Sequence, residues 1–94
     1  MPQPTYIAEL PEVDYPAFRM KDPTLPETYK GWLQATAERV RIMRRRGENP
    51  VRRQIHFDAF ADRNDKLGIP DFDEATRDDY ADEQAHAEGL SFRM

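Results

Sequence analysis

Apolar side chains recur in steps of three and four at Leu25, Tyr29, Trp32, Leu33, Thr36, Val40 and Met43. That spacing paints one face of a helix and predicts a helix over 25–46. Thr24 and Glu27 fit a capping box at its start, hydroxyl to an early backbone N–H and carboxylate reaching back. Arg44, Arg45 and Arg46 fill the last turn, where the carbonyl end of the helix dipole favours cations. Gly47 then offers the left-handed stop.

Beyond Asn49-Pro50 the period changes to two. Val51, Ile55 and Phe57 fall on one face of a strand, Arg52, Gln54 and His56 on the other, with Arg53 interrupting the apolar side. A single strand over 51–57 leaves its ladder groups unsatisfied, so it must pair with the N-terminal arm or with its twin in a second chain. Asp58 is placed to cap a short helix, 59–67, with Phe60, Ala61 and Leu67 packed and Gly68 as its end. Asp71 or Asp73 caps another, 73–88, with Phe72, Ala75, Thr76 and Tyr80 inward and Gly89 as its stop.

Residues 1–23 hold Pro2, Pro4, Pro11, Pro16 and Pro23, which argue against a continuous helix. Tyr6, Ile7, Leu10, Tyr15 and Phe18 lie among them, too apolar for an inert linker. The expectation is an extended arm with a short strand at Thr5–Leu10. The predicted fold is therefore α+β and mostly helical: a Pro-rich arm (1–23), one small domain (24–89) ordered helix–strand–helix–helix, and a frayed tail (90–94). The strand joins the arm or crosses a dimer.

Composition sharpens this picture. Leu, Ile, Val and Phe supply 17 of 94 residues, a thin stock for a core, while the net charge is only −4. A domain so sparing often completes its burial by oligomerising or by docking on a partner. There is no cysteine, and no apolar run approaches the ~20 residues that span a bilayer. The Met1-Pro2-Gln3-Pro4 start lacks the basic and apolar regions of a signal peptide, so a cytoplasmic location is expected. Charge is segregated. Residues 39–53 carry seven Arg against Glu48, whereas residues 54–94 carry eleven acids against four bases. A basic belt of this kind meets phosphate, an acidic protein surface, or the chain's own acidic helices.

Candidate chemistry is sparse. Ser91 is the only serine and lies in the tail; the glycines form no phosphate-cradling loop. His56 and Asp58, or Asp79, Asp82, Glu83 and His86, are more simply read as solvated side chains than as an acid/base pair or a metal site. A calcium loop starting at Asp71 fails at Thr76, where glycine is required. No catalytic residue, metal or cofactor is predicted, and the chain reads as a non-enzyme. The leading expectation is a protein–protein interaction or regulatory module, binding a protein partner or itself as a homodimer through Tyr29, Trp32, Arg44, Arg45 and Arg46. The alternative comes from likeness: a strand with outward Arg52 and Gln54 followed by two helices resembles a ribbon–helix–helix repressor. That resemblance implies strands paired across a dimer, with Arg52, Gln54 and His56 reading DNA bases.

Overall fold

The computed structural model describes residues 3–92, with side chains through Glu88. Strand β1 (Pro4–Glu9) leads through a 3-10 turn (Glu12–Asp14) to helix α1 (Tyr15–Lys21). Helix α2 (Tyr29–Arg45), strand β2 (Asn49–Gln54), helix α3 (Phe57–Leu67) and helix α4 (Glu74–Phe92) follow. The class is α+β and mostly helical. The strand's partner is the N-terminal segment: β1 and β2 form a two-stranded parallel sheet, in register from Pro4 opposite Asn49 to Glu9 opposite Gln54. Parallel neighbours need a long crossover, and here α1 and α2 provide it.

The sheet separates two apolar clusters. Ile7 faces α2, against Val40 and Met43. On the other face Ala8, Leu10 and Ile55 join Tyr15, Phe18, Trp32, Phe60 and Tyr80. Aromatic rings make up for the shortage of aliphatics. Phe60 lies 5.5 Å from both Phe72 and Tyr80, and Phe18 meets Phe57 edge to face at 5.2 Å. Two buried or half-buried tyrosines hand their hydroxyls to backbone: Tyr15 to the Pro26 carbonyl at 2.5 Å and Tyr29 to that of Leu10 at 2.7 Å. A ring with an anchored hydroxyl fills volume without stranding a polar atom.

Several boundaries differ from expectation. Residues 15–21 are helical rather than extended, because Pro16 sits in the first turn of α1, where its missing N–H costs no hydrogen bond. Tyr15 and Phe18 are buried there. Helix α2 starts at Tyr29 instead of 25. Its cap is Thr28, whose hydroxyl accepts from the Gly31 N–H at 3.0 Å, while the Thr24 hydroxyl donates to Asp22 Oδ1 at 2.5 Å. At the far end, Gly47 (φ 83°) closes a Schellman motif, with the Glu48 N–H bonded to the Met43 carbonyl.

Phe57 leaves the strand for the first turn of α3. That helix takes its cap from a distance, for the Phe57 N–H donates to Asp14 Oδ2 at 3.0 Å, and Asp58 lies inside the first turn. Gly68 (φ 67°) ends it as expected. Asp73 caps α4 through the Thr76 N–H, and α4 then runs past Gly89 to Phe92. A glycine within a helix carries only a modest penalty. Leu33 and Leu67 are exposed, as is Ala75, so the apolar stripes are narrower than the sequence suggests. Of the arm and tail, residues 1–2 and 93–94 lie outside the described residues. Among the described residues no helix is long and apolar enough to cross a membrane.

Candidate functional site

Two of the recesses that flank α2 differ in how their charges are balanced. The first is a cleft of about 500 Å³ between the start of α2 and the start of α4, lined by Asp22, Trp32, Thr36, Arg39, Glu74 and Arg77 among others. Its ionic groups are occupied with one another. Arg77 Nη1 donates to Asp22 Oδ2 at 2.8 Å and to the Phe72 carbonyl at 2.7 Å, in a pair almost wholly buried. Burial pushes the Asp22 carboxyl up, but the hydrogen bonds from Arg77 and Thr24 outweigh it and hold the group below its ordinary value. Arg39 Nη2 meets Asp78 Oδ2 at 2.5 Å. Burial opposes the Arg39 charge too, yet Asp78 and Glu74 keep the guanidinium above its usual value. Asp78 has a second task. Its Oδ1 accepts the Ala8 N–H at 2.9 Å, so one carboxylate joins β1, α2 and α4.

The second recess is a groove of about 540 Å³ between α2 and β2, walled by Ala37, Val40, Arg41, Arg44, Arg45 and Arg52. Arg41 is paired with Glu38 one turn away. Arg44, Arg45 and Arg52 are exposed and make no ion pair among the described residues. The expected protein-binding set held Arg44 and Arg45, whereas Arg52 was expected, from the ribbon–helix–helix resemblance, to read DNA. The parallel register puts Arg52 on the same sheet face as Ile7, which packs on α2, and that brings the three together. Arg46 does not join them; it lines a separate recess on the far side of α2 with Thr5, Ile42 and Glu48.

The other expected residues are placed differently. Trp32 is 6% exposed and stacks on Tyr29 with centroids 5.4 Å apart, Tyr15 closing the cluster. The Trp32 ring is committed to the interior, and Tyr29 packs partly buried between it and Tyr15 of α1. Gln54 is exposed on the Arg52 face, but His56 has left the strand and occupies the cap position of α3, 3.7 Å from Asp14. Arg53, which interrupted the apolar face, points to α4 and pairs with Glu88 through both ends of its fork. His86 lies 3.4 Å from Asp82, Glu83 is held by Arg63, and no three acidic or histidine side chains converge among the described residues.

The edges of the sheet are as informative as its faces. The Ile55 N–H donates to the Glu9 carbonyl. In a parallel ladder alternate residues turn both backbone groups toward the neighbour, so Val51, Arg53 and Ile55 address β1. Arg52 and Gln54 then turn their N–H and C=O groups outward, with Pro50 beside them. None of these has a protein partner among the described residues. The opposite edge, on β1, is closed by Asp78 at Ala8. The β1 edge is bonded at Ala8 by α4, whereas the β2 edge, beside the arginine groove, is open.

Comparison with family models, with curated proteins and with solved structures finds no match to this chain.

Proposed function

We propose that this protein is a non-catalytic interaction module that binds an acidic protein segment in the groove between α2 and β2. The observation that supports the reading is the convergence of Arg44, Arg45 and Arg52 with no counter-charge of their own. Three guanidiniums lining one groove repel each other, and an anionic partner relieves that repulsion while gaining charge-assisted hydrogen bonds. Four other arginines are paired internally: Arg39, Arg53, Arg63 and Arg77 each hold a carboxylate. Leaving three unpaired in one place marks the surface at which charge is offered outward.

Phosphate is the competing anion, since arginine forks suit it well. The acidic balance of the chain disfavours a long polyanion: with a net charge of −4, a duplex reaching beyond the groove meets repulsion. A short acidic peptide stays within the cationic strip. The test is a titration of the 15N-labelled protein at low ionic strength with hexaglutamate and, separately, with an oligonucleotide of equal charge. Binding of hexaglutamate that perturbs Arg44, Arg45 and Arg52, weakens as salt rises and disappears in Arg44→Glu/Arg45→Glu supports the reading. No binding at low salt, or clear preference for the oligonucleotide, overturns it.

A further inference from the structure

Resting on that reading, we infer that the partner segment enters as an extended strand, adding to the outer edge of β2 and placing acidic side chains at alternate positions against Arg44, Arg45 and Arg52. Two independent features meet here. One is the cationic groove. The other is the row of outward backbone groups on Arg52 and Gln54, which no other part of the described chain satisfies. An edge with free N–H and C=O groups is a template for another strand. On the other edge Asp78 of α4 takes the Ala8 N–H, whereas neither outward N–H of this edge has a partner among the described residues.

The geometry also sets the recognition pattern. Side chains of an added strand alternate between the two faces of the sheet. On the face of Arg52 and Gln54 they meet the arginines of α2. On the opposite face they meet Val51, which is 37% exposed beside the Arg53–Glu88 pair. The favoured partner therefore alternates acidic and small apolar residues. A nucleic acid satisfies the arginines but not the peptide edge, and this is why the occupant is a polypeptide. Pro50 limits the pairing on its side, since it offers a carbonyl and no N–H. The added strand is centred on Arg52 and Gln54 and is only a few residues long.

The probe is an end-capped octapeptide of alternating Glu and Val, compared with the same composition in two blocks. Amide hydrogen exchange is read residue by residue on the full chain. Strand addition slows exchange at Arg52 and Gln54 by about tenfold or more at saturation, while Val51 and Arg53, already bonded to β1, change little. Gln54→Pro removes one outward N–H without touching the inner ladder or the arginines. It lowers affinity about tenfold, the equivalent of one lost hydrogen bond. Methylating the peptide's backbone nitrogens has a similar effect on the unaltered protein, independently of how the variant folds. Binding that perturbs the arginines but protects neither amide, or that ignores Gln54→Pro and peptide methylation, overturns strand addition and leaves the acidic-partner reading standing. Protection that appears without peptide and grows with protein concentration, as solution mass doubles, also overturns it, because a second copy then owns the edge.

Discussion

Removing Arg77 tests how the interior is held together. Its guanidinium is 5% exposed and the Asp22 carboxylate 11%. In Arg77→Ala that carboxylate stays buried with only Thr24 to serve it, and the Phe72 carbonyl loses a donor. Breaking a buried pair by deleting one member costs about 3–5 kcal/mol. A domain of 94 residues is stable by about 5–14 kcal/mol on the usual per-residue scale. The loss is thus a large share of the whole. It lowers the melting temperature by more than about 12 °C at 4–8 °C per kcal/mol. Urea unfolding followed by Trp32 fluorescence and by circular dichroism measures it directly.

Acid adds a second readout. The folded Asp22 carboxyl lies below its ordinary value of 3.8, so the unfolded chain binds the proton first as pH falls. The stability the pair confers is complete above that value and is lost as pH drops through the folded one. This acid limb shrinks in Arg77→Ala. Asp22→Leu/Arg77→Met, which removes both charges, recovers much of the stability, since apolar replacements of a buried pair are often neutral or better. A cost below about 1 kcal/mol for Arg77→Ala, with an unchanged acid limb, refutes the reasoning.

Asp78→Ala strands the Ala8 N–H and frees Arg39, and is expected to cost about 2–3 kcal/mol in chemical unfolding; Asp78→Asn, which can still accept from Ala8, costs less. Thr28→Ala removes the α2 cap and lowers stability by about 1 kcal/mol by the same measurement, while Thr24→Ala leaves the start of α2 unaltered in amide exchange. Arg44→Ala/Arg45→Ala changes stability by no more than about 0.5 kcal/mol, because neither side chain makes an ion pair within the described chain.

The helices were legible where apolar spacing and stop residues agreed. The stripe Trp32, Thr36, Val40, Met43 is buried as its period implies, and Gly47 and Gly68 both take the left-handed conformation. The strand's need for a neighbour was legible as well, and the expected short strand at the N-terminus became that neighbour. What misled was local chemistry with two uses. Pro16 reads as a helix breaker unless one knows it lies in a first turn. Thr24 and Thr28 both suit a cap, and the choice falls to Thr28 because Asp22, itself fixed by Arg77, binds Thr24. Trp32 faces inward as expected of a core stripe and Tyr29 is partly buried beside it, but their packing on Tyr15 required a helix that the proline count concealed.

The groove was half visible. The Arg belt stands out in the sequence, and period two puts Arg52 and Gln54 outward. That Arg52 joins Arg44 and Arg45, while Arg46 turns to the other side, depends on parallel pairing across a long crossover. No spacing rule carries that information.

The pairing that builds this sheet also sets a timetable. Pro4 lies opposite Asn49, and Ala8 relies on Asp78, a residue 70 positions further along. At ordinary elongation speeds of 5–20 residues per second, the early strand waits about 4–14 s on the ribosome before both of its flanks have been synthesised. During that interval Tyr6 and Ala8 lack the α4 side chains, His86 and Asp78, that they meet in the finished fold. Completion of this fold therefore waits on α4, the last of the described elements to be made.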